Sequence, residues 1–201
     1  MKTAGRRKPA GRQVVFATSN AGKLAEARFV LKRFGITVVQ KAVELEELQN
    51  DSIGEIAVAK AVHAASVLRS PVVVEDTGFF LDHFGNFPGP YSKWVMHTIG
   101  LGGVLKLAAG TSRKAHFETV VAFCEPGGKP RAFSGRTGGR VPAAIGQAAH
   151  HARLAYDPVF IPAGSKKIYS QMQVAEKLSN SSRAKAFAAF GKWYSRASSV
   201  E

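Results

Sequence analysis

The chain has 201 residues, 45% of them apolar, and carries 28 Lys and Arg against 14 Asp and Glu, a formal net charge of +14. That apolar content suffices for one globular core, while no apolar run approaches the roughly 18 residues of a membrane-spanning helix and the basic N-terminus has no apolar stretch of a secretory signal. The lone Cys124 excludes an intramolecular disulfide and a cysteine-based zinc cluster, so a cytoplasmic protein is expected, with polyanions as partners.

Residues 1–12 hold Lys2, Arg6, Arg7, Lys8 and Arg12 and no acid, which predicts a flexible basic arm able to touch nucleic acid nonspecifically. An ordered domain is expected over 13–196, followed by a short tail at 197–201. Val14–Ala17 is a short strand. After the loop Thr18-Ser-Asn-Ala-Gly-Lys23, the apolar residues Leu24, Ala27, Leu31 and Phe34 recur at helical spacing until Gly35, and Ile36–Val39 forms the next strand. This is a β-loop-α-β unit with parallel strands and a right-handed crossover. Its loop suits a phosphate: helix-start N–H groups and the positive end of the helix dipole sit beside Thr18, Ser19 and Asn20, and Lys23 adds a cation. The spacing is not that of a Walker A loop, and Ser or Asn before a helix also serves simply as a cap.

Eight of the fourteen acids (Glu44, Glu46, Glu47, Asp51, Glu55, Glu75, Asp76 and Asp82) fall between residues 44 and 82, opposed there only by Lys60 and Arg69. An acidic island in a basic chain suits a divalent cation among carboxylates with a polyanion drawn to the surroundings. Ser52-x-x-Glu55 reads as a capping box opening an Ala-rich helix to Leu68. Pro71 then begins the stretch on which the chemistry centres. Val72–Val74 predicts a strand buried on both faces, Glu75 and Asp76 stand at its carboxyl end, and Thr77-Gly78 reads as a turn. In an open α/β sheet that end is where ligands bind. An aromatic loop follows (Phe79, Phe80, Phe84, Phe87, Tyr91, Trp94), pinned by Gly85, Pro88, Gly89 and Pro90. Beyond it come a short helix near Gly102–Ala109, strands His116–Phe123 and Arg131–Val141 reversing through Pro126-Gly-Gly128, an Asp157-Pro158 turn with a short strand, and a helix from Ser182 to Tyr194.

Four pieces in this order resemble the inosine triphosphate pyrophosphatase (Ham1-like) family: Thr18–Lys23 with Glu26; Glu47-Leu-Gln49; Glu75-Asp-Thr-Gly78 through Phe87-Pro-Gly-Pro-Tyr91; and Tyr156-Asp-Pro-Val-Phe160 with Lys177 and Ser181-Ser-Arg183. The resemblance spans about residues 13 to 196. It implies an α/β fold, a long mixed β-sheet flanked by helices in two lobes with a central nucleotide cleft, usually as a homodimer. It also implies Mg²⁺-dependent hydrolysis of the α–β anhydride of ITP, dITP or XTP to the monophosphate and pyrophosphate. By the same resemblance, Thr18, Ser19, Asn20, Ala21, Gly22 and Lys23 hold the triphosphate, and Glu47 and Asp76 hold the metal, with Glu75 as a further candidate. Asp76 is then the water-activating base, Lys23 neutralises charge, and Thr77, Tyr156, Asp157, Lys177 and Arg183 line the nucleotide.

Three places depart from the family pattern. Leu154-Ala155-Tyr156-Asp157 puts leucine where an aromatic would stack on the base. Ser182 replaces a histidine, and Ala148–Arg153 stands in place of a Pro-Arg-Gly segment, where His150 or His151 is a candidate substitute. Altered base selectivity is expected, since stacking and paired contacts each carry about 1–3 kcal/mol. Two other readings compete: a nucleic-acid-binding protein using the arm and Lys166-Lys167, and a nucleotide sensor that has lost turnover.

Overall fold

A computed structural model describes residues 12–45, 48–147 and 154–197. The expected basic arm (except Arg12), Glu47, His150 and His151 lie outside the described residues. Strand β1 (Arg12–Ala17) pairs in parallel along its whole length with β2 (Ile36–Lys41), and between them runs α1 (Ala21–Lys32). Gly35 turns the chain with φ +68°, a conformation that suits a residue without Cβ. Helix α2 (Ile53–Leu68) follows. Its Ser52 cap accepts from Glu55 N at 3.3 Å, but Ser52 N donates to Asn50 Oδ1 and the Glu55 carboxylate accepts from Asn50 Nδ2, so Asn50 replaces the predicted capping box.

Strand β3 (Val72–Leu81) corrects the expected turn. The strand runs straight through Glu75, Asp76, Thr77 and Gly78, so the two acids stand in its middle and not at its end. Gly78 is required for closeness, because a Cβ built there would lie 2.6 Å from Ile53 Cδ1 and 2.7 Å from Gly89 O. The aromatic loop also holds more structure than the sequence suggested. After a turn at Asp82–Phe84, β4 (Pro88–Gly89) pairs antiparallel with β3, and α3 (Ser92–Thr98) leads into α4 (Gly100–Ala108).

The predicted reversal is present: β5 (Lys114–Cys124) and β6 (Arg131–Arg140) pair antiparallel around a turn in which Gly128 N donates to Glu125 O. A 3₁₀ turn at Asp157–Val159 precedes β7 (Ile161–Pro162), and α5 (Val174–Leu178) and α6 (Ser182–Ala197) complete the chain. The sheet order is β2-β1-β3-β5-β6-β7, parallel on the β1 side and antiparallel on the β5 side. Helices α1 and α6 cover one face of the parallel half through Leu31, Phe16, Phe187 and Phe190, while the small residues Ala57, Ala61, Ala64 and Ala65 let α2 pack closely on the other. A third cluster, around Phe79, Val104, Tyr156 and Phe160, fills the far half.

The pairing of β3 sets the position of the site. On one side β5 accompanies it from Val72 to Leu81. On the other, β1 reaches only Val72 and Val73, and β4 joins only at Phe79 and Phe80. Between those two neighbours the edge of β3 at residues 74–78 is left without a strand, and this gap holds Glu75, Asp76 and Thr77.

Candidate active site

The start of α1 faces the gap. Asn20 caps the helix by accepting from Lys23 N at 3.0 Å, and Thr18 Oγ1 accepts from Asn20 N at 3.1 Å. Both side chains therefore shape the loop, while Ser19, Asn20 and Ala21 remain exposed and Gly22 is buried. Lys23 reaches from the first turn of α1 into the gap. Its Nζ donates to the Glu75 carbonyl at 3.3 Å and forms an ion pair with Glu75 Oε2 at 2.8 Å.

Because side chains alternate along a strand, Glu75 and Asp76 point to opposite faces of β3. Glu75 lies on the α1–α6 side, fully buried, with Arg183 Nε donating to its Oε1 at 3.1 Å and Thr77 Oγ1 bonding the same oxygen. Burial alone would raise this carboxyl's pKa, but Arg183 and Lys23 outweigh it and hold the value at about 2. Asp76 lies on the α2 side. Lys60, from the middle of α2, donates to its Oδ1 at 2.9 Å, and its Oδ2 is buried with no hydrogen-bond partner. Here burial prevails: it raises the pKa, Glu75 adds to the rise, and Lys60 and Lys23 only partly offset it. Lys23, held in the gap between the faces, thus acts on both carboxylates.

Behind Glu75 the polar groups continue inward. Glu26, on the buried side of α1, accepts from Lys177 at 2.9 Å through Oε1 and from Arg183 at 2.7 Å through Oε2. Lys177 also donates to Asp157 Oδ2 at 2.6 Å. Thr119 Oγ1 lies 2.8 Å from Thr77 and 2.9 Å from Ser182 Oγ, closing the chain of hydroxyls beside Arg183. Three carboxylates (Glu26, Glu75, Asp157) thus face three cations (Lys23, Lys177, Arg183). Burial raises the Asp157 carboxyl against the pull of Lys177; Glu26 is also desolvated, but its two cations prevail and lower it.

Residues 14–193 match the model of the Ham1 family. The chain belongs to that family. It is 44% identical over 183 residues to a dITP/XTP pyrophosphatase of Methanopyrus kandleri, covering 90% of this chain and 96% of that protein. It is 38% identical over 182 residues to a dITP/XTP pyrophosphatase of Pyrococcus horikoshii, with the same coverages. Among solved structures, a HAM1 protein from Coxiella burnetii shares the fold with a TM-score of 0.80 and 23% identity, covering 92% of this chain and 99% of that one.

Seen as a Ham1-family site, the predicted residues divide into three groups. Thr18–Lys23, Asp76 and Thr77 gather at the gap in β3. Asp157, Lys177, Arg183 and Ser182 come together behind Glu75, all buried, and Ser182 is engaged with Thr119. The third group stands apart. Tyr156 turns into the far core, where its hydroxyl donates to Ser92 O at 2.7 Å and its ring stacks on Phe79 at 4.8 Å, so it supports the turn carrying Asp157 and does not line the cleft as expected. Leu154 is half-buried and Ala155 exposed at the start of that turn.

Sequence reasoning missed Lys60, Glu26 and Thr119 as members of this assembly. A lysine in the middle of an otherwise Ala-rich helix was the available sign for Lys60. The implied Mg²⁺ can be tested against the donors present. Asp76 supplies an orphaned, buried carboxylate oxygen, and Mg²⁺ characteristically takes one or two protein carboxylates with the rest from phosphate and water, so Asp76 fits. Glu75 is committed to cations on the opposite face. Among the described residues no three His, Cys, Asp or Glu side chains form a group that could hold a metal ion.

Proposed function

We propose that this chain hydrolyses deaminated purine nucleoside triphosphates (ITP, dITP and XTP) to the monophosphate and pyrophosphate. The observation that carries the reading is the unpartnered Asp76 oxygen, buried in the gap of β3 with Lys60 on one flank and the Lys23-bearing helix start on the other. Phosphoryl chemistry of this kind depends on positioning and on neutralising charge. The α1 start, Lys23 and Lys60 are the groups to receive the triphosphate, with the loop residues Thr18, Ser19 and Asn20 at its edge. Asp76, with Glu47 as the expected second carboxylate, would hold Mg²⁺, which neutralises phosphate charge and lowers the pKa of bound water. Asp76 accepts a proton as water attacks the α-phosphorus. The bond from that phosphorus to the bridging oxygen breaks, and pyrophosphate leaves. The raised affinity of Asp76 for a proton suits this role.

The base is directed to Asp157, Lys177 and Arg183. The two neighbouring cations, Lys177 and Arg183, offer donors to the O6 of a 6-oxo purine, which favours inosine and xanthine over adenine. Leu154 offers no aromatic face and Ser182 is occupied by Thr119, so discrimination among 6-oxo purines is expected to be modest. A homodimer is supported by the exposed large residues of the segment from Phe87 to Ile99, with Trp94 64% exposed, and gel filtration at twice the chain mass is the expected outcome. The function is tested by incubating the protein with ITP, dITP, XTP, GTP and ATP plus Mg²⁺ and measuring pyrophosphate. Release from ITP and XTP well above that from ATP is expected. Tight ITP binding with no release would make the protein a sensor, and no binding to any triphosphate would end the reading.

A further inference from the structure

We propose that the groove walled by β5, β6 and the turn after β7 is a second anion site, apart from the gap in β3, and that it takes a compact di- or triphosphate chain without a divalent metal. The proposal stands independently of the reading of the gap. The groove has a volume of about 490 Å³, and Lys114, His116, Arg136, Gly138 and Arg140 line it. Strand register puts these residues on one face: Lys114 lies opposite Arg140 and His116 opposite Gly138, while Arg136, Gly138 and Arg140 alternate out of β6 on the same side. A Cβ on Gly138 would meet nothing within 4 Å, so the floor between the two arginines is open.

The cations of this groove are not neutralised from within. Among the described residues, Lys114, Arg136 and Arg140 make no ion pair. The one carboxylate in the lining, Asp82, lies 2.7 Å from His116 Nδ1, and Arg136 Nη2 lies 3.3 Å from the same nitrogen. Arg136 therefore rests against an imidazole, itself stacked on Phe80 at 4.6 Å. Glu118, opposite Arg136 in the register, lines the neighbouring hollow instead. Like charges directly opposite on paired strands repel, and Lys114 faces Arg140 in this way with no carboxylate paired to either. A bound anion supplies the missing charge. Lys23 and Lys60 differ in this respect, since each already has its own carboxylate.

The size of the anion follows from the spacing. Arg136 and Arg140 stand four residues apart on one strand, about 13 Å between Cα atoms, and arginine grips phosphate with paired N–H donors. That span suits a chain of phosphates better than a single one. A metal-bound chain would bring a cation to a place with no uncommitted carboxylate to receive it. Among the described residues no exposed aromatic ring lines the groove, so it lacks the stacking platforms on which single-stranded nucleic acid is held.

The test is calorimetry of the full chain in buffer stripped of divalent ions, with inorganic pyrophosphate, ATP and sulfate as probes, on wild type, Arg140→Gln, Lys114→Gln and Lys23→Gln. One pyrophosphate per chain is expected. Loss of a charged hydrogen bond predicts binding weakened by about 10- to 100-fold in Arg140→Gln and in Lys114→Gln, with Lys23→Gln unchanged and sulfate weaker than pyrophosphate. ATP binding no tighter than pyrophosphate assigns the site to the free phosphate chain; tighter ATP assigns it to the tail of a nucleotide. In wild type, pyrophosphate should shift the amide resonances of Gly138 and leave that of Gly22 in place, and the reverse pattern overturns the proposal whether or not the variants fold. No metal-free binding overturns it as well. So does binding lost in Lys23→Gln but kept in the two groove variants, or sulfate bound as tightly as pyrophosphate. A single-stranded oligonucleotide that displaces pyrophosphate and is itself weakened by Arg140→Gln makes the groove a nucleic-acid surface and overturns the assignment to a compact anion.

Discussion

Replacing Glu75 by glutamine removes one charge from the best-buried carboxylate of the site while keeping its shape. The folded protein holds this carboxyl at about 2 against an ordinary 4.5. At about 1.4 kcal/mol for each pH unit, ionised Glu75 contributes on the order of 3 kcal/mol at neutral pH. The lower end of the 3–5 kcal/mol range for breaking a buried ion pair agrees, since the amide still accepts a hydrogen bond from Arg183. Because the folded-state value lies below the unfolded one, the contribution is complete above about pH 4.5 and disappears as the pH falls through about 2. Guanidinium denaturation of wild type and Glu75→Gln should therefore show a gap of about 3 kcal/mol at pH 7, shrinking to well under half of that at pH 3. For a chain of this length the neutral-pH gap corresponds to a Tm lower by roughly 6–12 °C. Equal stability at pH 7, or a gap that stays constant down to pH 3, would refute the assignment of Arg183 and Lys23 as the groups that hold Glu75 ionised.

Asp76→Asn should lower kcat by about 10² to 10⁴, the usual contribution of a general base, and leave Tm unchanged or raised, because a carboxylate whose folded-state pKa is raised costs stability when ionised; far-UV circular dichroism with a pyrophosphate assay checks both. In wild type, kcat/KM should fall on the acid side with a midpoint above the ordinary 3.8 of an aspartate, and this limb should vanish from the residual activity of Asp76→Asn. Lys60→Met should raise KM for ITP by about 10- to 100-fold, as expected for a lost charged hydrogen bond, with a smaller effect on kcat in steady-state assays. Gly78→Ala should destabilise by about 1–3 kcal/mol or more, since its Cβ meets the Gly89 backbone as well as Ile53; urea melts measure it.

The β-loop-α-β unit was legible because its signals are local: an apolar run, a cap, a helical period and Gly35. The β5–β6 reversal was equally local, marked by Pro126-Gly-Gly128. Thr77-Gly78 was misread because glycine carries two meanings, and the one realised here, close approach of the β4 backbone, depends on a partner further along the chain. The inward turn of Tyr156 depends on Phe79 and Ser92, far back in the sequence. Glu26 was visible as part of a motif, yet nothing near it revealed its burial. Its cations stand 151 and 157 residues away, and only the packing of α6 beside α1 brings them to it. The opposite facing of Glu75 and Asp76 was in principle available from strand alternation, but expecting the strand to end before them concealed it.

The lysines at the gap have a consequence for what such a basic protein will retain. Each is already neutralised by an internal carboxylate, Lys23 by Glu75 and Lys60 by Asp76, so the resting cleft is not a general anion trap despite the charge of +14. Inorganic phosphate or sulfate would have to draw Lys23 from Glu75 and Lys60 from Asp76, and would leave the buried Asp76 carboxylate without that contact. A triphosphate that arrives with a divalent ion offers each side a new partner at once, so the cleft screens its visitors by whether they bring both charges together.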